Sequence, residues 1–205
     1  MKYKFDNIVA VGAHPDDIEI GCGASLSKWY SEGLKITCIV MSCENTTRHK
    51  EIYAAFKKLG IPSSSVVIGE FEDGKIPHNK TTVSFIDKHI SSKTLLISHN
   101  ENDTHQDHIN TSLSAMSSGR NALSFLQWTT VPFRRVNRFH NISPSFYVCV
   151  DDYVHKKISS IECHNSQINR FPINWKELIK QEALLKAVNS NCEYVESFYL
   201  KKFTI

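Results

Sequence analysis

No two of the six cysteines stand in a CxxC pair. Cys22, Cys38, Cys43, Cys149, Cys163 and Cys192 are scattered, which excludes a dense disulfide frame. Cys38 and Cys149 fall inside apolar runs and are expected as buried thiols, the set as a whole reduced and the protein cytoplasmic. No apolar run approaches the roughly 20 residues of a membrane span. Met1 to Lys4 leads straight into a short strand, so no secretory leader is expected. Net charge is low, at +3, which removes the electrostatic case for nucleic acid as a partner. Arg134, Arg135 and Arg138 do cluster, and read as a solvated loop or as a rim for an acidic substrate. Repeats, linkers and low-complexity segments are absent. So is GxGxxG spacing: Gly12, Gly21 and Gly23 do not form it, and two nearby carboxylates would repel a pyrophosphate.

What is present is a length of 205 residues, 41% of them hydrophobic, enough for one sizeable core. Strand and helix patterns alternate. Strands are expected at 7–13, 35–41, 65–68, 94–98 and 146–150. Helices are expected at 18–32, 48–59, 82–90, 107–116, 154–168 and 175–188, with Gly33 and Gly60 as stops. This order predicts an α/β fold: a Rossmann-like three-layer arrangement with a mainly parallel sheet, and a C-terminal extension covering the site. The whole of 1–205 reads as one domain.

Ligands in such sheets sit at the carboxyl ends of the strands. Two polar strings fall there. Val9-Ala10-Val11-Gly12-Ala13 runs directly into His14-Pro15-Asp16-Asp17, and Thr94–Ser98 is followed by His99 and then His105-Gln106-Asp107-His108. Carboxylates and imidazoles packed behind a buried strand are costly unless compensated, and a divalent metal compensates them. His14, Asp17 and His108 make a His₂Asp ligand set of the kind that leaves zinc one position for water. Asp16 is then free as general base. His105 lies one helical turn from His108, and Asp107 is placed to accept its ring N–H. Taken singly, each string also reads as a turn or helix start with a capping carboxylate.

Ala13-His14-Pro15-Asp16-Asp17-Ile18-Glu19-Ile20-Gly21-Cys22-Gly23 closely resembles the signature of the PIG-L/LmbE-like zinc-dependent N-deacetylases. His105-Gln106-Asp107-His108 resembles their HxDH motif. Arg48-His49-Lys50-Glu51 with Leu59-Gly60 resembles their RxxE helix. Glu72-Asp73-Gly74-Lys75-Ile76 resembles their Asp-Gly turn. Lys157, His164-Asn165-Ser166-Gln167 and Tyr194-Val195-Glu196-Ser197-Phe198 resemble later motifs. The ordered set spans nearly the whole chain. It departs from the pattern at Ala24, at Gln106 where proline is common, in the loop 41–47, and in the stretch 124–141.

The resemblance implies removal of an N-acetyl group from an amino sugar or sugar conjugate by zinc-activated water. It carries metal ligation to His14, Asp17 and His108, with Zn2+ or another divalent transition metal as cofactor. Asp16 takes the base role. Protonated His105, oriented by Asp107, stabilises the tetrahedral intermediate, and Arg48 and Asp73 bind substrate. The expected partner is a small N-acetylated molecule; a homo-oligomer is compatible with the pattern. The alternatives are an amidase acting on another acyl group of a thiol-sugar conjugate, favoured by a roomy pocket near Trp128 and Phe133, and a non-catalytic metal-containing binding protein, favoured if His105 points away. Trp29, Trp128 and Trp175 read as packing residues, His99 as a hydrogen-bonding residue, and His49, His78, His89, His140 and His155 as surface. His164 is placed on a site-facing helix with no assigned role.

Overall fold

The computed structural model describes residues 3–128, 143–170, 174–188 and 190–204. Its strands are β1 (Asn7–Gly12), β2 (Lys35–Val40), β3 (Val66–Ile68), β4 (Thr94–Ser98), β5 (Ser124–Trp128), β6 (Phe146–Cys149) and β7 (Val195–Lys202). The helices are α1 (Asp17–Ser31), α2 (Thr46–Leu59), α3 (Lys80–Asp87), α4 (Gln106–Gly119), α5 (Val154–Ile161), α6 (Asn165–Ile168) and α7 (Trp175–Lys186).

One seven-stranded sheet runs β3-β2-β1-β4-β5-β7-β6. The first five strands in that order are parallel; β7 pairs antiparallel with both β5 and β6. β1 is flanked on both sides, Ile8 pairing with Ile36 on one and Leu95 on the other. A strand covered on both faces and both edges needs a continuous apolar run, and Ile8-Val9-Ala10-Val11 is fully buried. Its alternate side chains feed two cores. Ile8 and Ala10 pack with Leu26, Phe56, Ile158 and Ile179 from α1, α2, α5 and α7, whereas Val9 and Val11 pack with Ile86 and Ala115 from α3 and α4. The result is the expected three-layer α/β arrangement. The chain order reverses between β1 and β4, and that crevice is where an open α/β sheet offers a ligand site.

The C-terminal extension differs from expectation in detail. The helix expected over 154–168 is broken into α5 and α6, because His164 turns inward and is fully buried. Strands β5 and β7 were not expected from the pattern. α5 and α6 pack on α1 and α2, over the elements that carry Asp16, Asp17 and Arg48. The all-thiol reading is corrected as well: Cys149 and Cys192 form a disulfide with Cα atoms 5.7 Å apart, and Cys22, Cys38, Cys43 and Cys163 remain free. Cys149 sits at the outer end of edge strand β6, where its thiol reaches the loop before β7 instead of the core. Disulfides persist mainly in oxidising compartments, so cysteine usage no longer supports a reducing location. Among the described residues no helix is long and apolar enough to cross a membrane. Phe133, the arginines at 134, 135 and 138, and His140 lie outside the described residues.

Candidate metal centre

Two strand ends build the site. After β1 the chain makes a tight turn in which the Asp17 carboxylate accepts the His14 backbone N–H at 2.7 Å. Asp16 sits at φ 96°, the single non-glycine positive φ among the described residues. A left-handed carboxylate-bearing residue costs on the order of 1–3 kcal/mol, a strain that clusters at functional sites. Gly12 is required for close packing, since a Cβ there would stand 2.9 Å from Ile18.

After β4 the chain delivers His99, Asp103, His105, Asp107 and His108. The ligand atoms of His14, Asp17 and His108 all lie within 4.8 Å of one another, and all three residues are buried. His108 Nε2 faces Asp17 Oδ1 at 3.4 Å, while its Nδ1 bonds Asp103 Oδ2 at 3.1 Å. If Asp103 takes the Nδ1–H, the Nε2 lone pair of a neutral ring meets an anionic oxygen. Only a second proton or a cation between them reconciles the two. Burial would lower His14 and His108, yet Asp17 dominates and raises both, His14 to about 9. Asp17 in turn lies well below the usual carboxylate range, its burial outweighed by His108 and His99. A buried His₂Asp set with a carboxylate behind one imidazole fits a divalent transition metal.

Asp16 stands beside the set. Burial and the charge of Asp17 push its carboxyl up to about 6. Arg48, at the start of α2, donates to the Pro15 carbonyl at 2.6 Å and lies 3.7 Å from Asp16 Oδ1. Most of Arg48 is therefore committed to holding the turn, although its Nε has no partner. Asp73 is half-exposed at the rim and reaches His14 Nε2 at 3.1 Å.

One expected contact is corrected. Asp107 does not take the His105 ring N–H. Its carboxylate accepts Gly74 N–H at 2.7 Å and Ile76 N–H at 3.1 Å, and bonds His14 Nε2 at 3.0 Å. The Asp-Gly turn lies against it, so these backbone donors arrive first. His105 is the N-cap of α4, and its Nδ1 accepts the Asp107 backbone N–H at 3.2 Å. An accepting Nδ1 leaves the proton of a neutral ring on Nε2. Burial and the nearby His108 and His14 also hold His105 below the ordinary imidazole value. Its ring lies 5.0 Å from that of His14 and 4.6 Å from that of His108.

One residue escaped the sequence reading, and others that it named take partners it did not give. Asp103 was not singled out, though it lies within the dense polar run from 99 to 108. His99 does form hydrogen bonds, as expected, but its Nε2 meets both Ala13 N–H and Asp17 Oδ2, each at 3.1 Å, so it braces the ligand turn. Gln106, at the position where proline is common, donates to the Gly74 carbonyl at 2.6 Å and fastens the rim turn. His164 bonds Glu19 at 2.8 Å behind the site, and Ser166 donates to Glu51 from its N–H at 2.8 Å and its hydroxyl at 2.6 Å. Trp29, Trp128 and Trp175 are buried packing residues, as expected.

Fold and site together define a Rossmann-like α/β protein with a candidate metal centre at its topological switch point. The chain belongs to the PIG-L family: the family profile, described as GlcNAc-PI de-N-acetylase, matches residues 9–118. It is similar to the Escherichia coli K12 protein named uncharacterized deacetylase YaiS, 46% identical over 63 residues, which is 28% of this chain and 34% of that protein. The match thus spans about a third of that relative's length. Among solved structures it resembles N,N'-diacetylchitobiose deacetylase from Pyrococcus horikoshii (TM-score 0.75, 17% identity, 96% of this chain and 84% of that one). It also resembles GalB, the 4-carboxy-2-hydroxymuconate hydratase of Pseudomonas putida KT2440 (TM-score 0.80, 15% identity, 98% of each chain). A deacetylase and a hydratase share this fold, so the fold alone does not choose the reaction.

Proposed function

We propose that the protein is a metal-dependent hydrolase that removes an N-acetyl group from an amino sugar or sugar conjugate. The observation that carries this reading is a carboxylate, Asp16, held beside a buried His₂Asp donor set that it does not belong to. His14, Asp17 and His108 would hold the ion, and Zn2+ suits such a set, as do other divalent transition metals. When bound, the ion supplies Lewis acidity: it makes a water acidic and polarises an amide carbonyl.

The chain's own residues do the rest. Asp16, raised toward neutrality and steadied by Arg48, accepts a proton from the attacking water and returns it to the departing nitrogen. Water and amide thereby become amine and acetate. His105 donates its Nε2–H to the oxyanion of the tetrahedral intermediate. Asp107 serves it indirectly, by fixing His14 and the rim turn. Asp73 offers an exposed carboxylate to a sugar hydroxyl, and Arg48 holds the turn beside it with a buried Nε that has no partner in the protein. A His105 that pointed away would have favoured the binding-protein alternative; its ring stacks on that of His108 at 4.6 Å, which supports the catalytic reading.

Asp16→Asn tests the assignment. The variant is expected to retain its metal and lose about 10²–10⁴-fold in acetate release from N-acetylated sugars. A fully active variant removes Asp16 as the base.

A further inference from the structure

α1 is two helices in sequence. At Cys22 the backbone leaves helical geometry, with φ −150° and ψ 18°. A break of this kind strands the N–H groups of the following turn, as at any helix start. Those of Ala24 and Ser25 point into the carboxylate of Glu196 on β7, at 3.2 Å and 2.7 Å. Lys157 on α5 donates to the same carboxylate at 2.6 Å. Both side chains are buried, 8% exposed for Lys157 and 4% for Glu196. Burying a charge pair carries a desolvation penalty that partner contacts must offset. Here the carboxylate satisfies two orphaned donors at the positive end of a helix and so fixes where that helix begins.

Upstream of the break lies the turn Asp17–Gly21, which carries Asp17 into the site. It is pinned elsewhere too. Glu19 is tied to His164, and Gly21 rests so close to Trp128 that a Cβ would come within 2.4 Å of the ring. The turn has little freedom except through the starting point of the helix behind it.

We infer that Glu196, with Lys157 as its counter-charge, is a positioning residue for the metal centre: it sets the break in α1 and thereby the placement of Asp16 and Asp17. The inference rests on the metal-centre reading above. No contact with substrate or metal is involved.

Two double variants of the full chain separate the cap from the charge. K157M/E196Q removes both charges but keeps one of the two acceptor oxygens that the stranded N–H groups use. K157M/E196M removes both charges and the acceptor at similar volume. Neither variant leaves a lone buried charge, so both should fold, the acceptor-free one less stably for each N–H group it leaves unpaired. K157M/E196L is the substitute if the methionine variant does not. Deuterium exchange of the amides in 13–25 is followed on metal-free protein, and Zn2+ affinity is measured by competition with a chromophoric chelator.

The acceptor-free variant is expected to exchange on the order of tenfold faster across this segment and to hold Zn2+ on the order of tenfold more weakly, with the glutamine variant within about threefold of wild type. Wild-type behaviour of the acceptor-free variant in both measurements overturns the inference. So does equal loss in the two variants, which would assign the effect to charge alone. Wild-type protein that binds no Zn2+ contradicts the metal-centre reading instead, and the exchange comparison then decides the positioning role by itself.

Discussion

Asp103 shows how a single side chain can settle the chemistry of a ligand. Its Oδ1 accepts the N–H groups of Thr104 and His105 at 2.6 Å and 2.9 Å, which leaves Oδ2 for His108 Nδ1. Burial alone would raise this carboxyl, but the contacts with His108 hold it well below the usual range. The fixed ring then turns Nε2 to Asp17. Carboxylates behind a ligating imidazole typically govern 10–100-fold in metal affinity, so Asp103→Asn should weaken Zn2+ binding by about that factor in a chelator competition. Unchanged affinity would show that His108 is oriented by its stacking on His99 and His105 instead. At this scale the sequence was most legible where chemistry is local. His14, Asp16 and Asp17 adjoin one another, as do His105 and His108, and each string carries its own meaning. Asp107 was misread because its partners, Gly74 and Ile76, stand far upstream, and nothing in the local string says which donors reach it first.

α1 illustrates the limit of periodicity at the element scale. Its apolar pattern marks a helix in nearly the right place but carries no sign of the break at Cys22, because the break is stabilised from β7 and α5. The same holds for the interruption between α5 and α6, where burial of His164 against Glu19 overrides a continuous helical pattern. β7 was missed since its outer half, Tyr199 to Lys202, is partly exposed and ends in two lysines, so that neither a parallel-strand run nor clean alternation appears. The close approach of α1 to the sheet gives a test. Gly21→Ala would place a methyl group 2.4 Å from the Trp128 ring, and a packed indole has little room to yield. Overpacking of this kind costs about 1–3 kcal/mol, visible as a lowered melting temperature. A wild-type melting temperature would mean that α1 does not rest on Trp128.

Over the whole molecule, a parallel sheet brings two distant strings to one crevice, and the C-terminal third holds that crevice in place. The convergence was legible because alternating strands and helices leave few ways to wind the chain, and those ways put the ends of β1 and β4 side by side. The antiparallel edge was not legible. There Cys149 meets Cys192 and closes a loop that contains α5, α6 and α7. Thiol titration of denatured, unreduced protein should count four free thiols, those of Cys22, Cys38, Cys43 and Cys163. A count of all six would return the edge to the reduced state expected from cysteine spacing.

The most direct test of the central claim is elemental analysis of the purified protein, combined with acetate release from a panel of N-acetylated sugars before and after chelation. About one equivalent of a divalent transition metal per chain is predicted, with acetate release that falls on chelation and returns with Zn2+. A chain that binds no metal even after reconstitution would contradict the convergence of His14, Asp17 and His108 on a single ion.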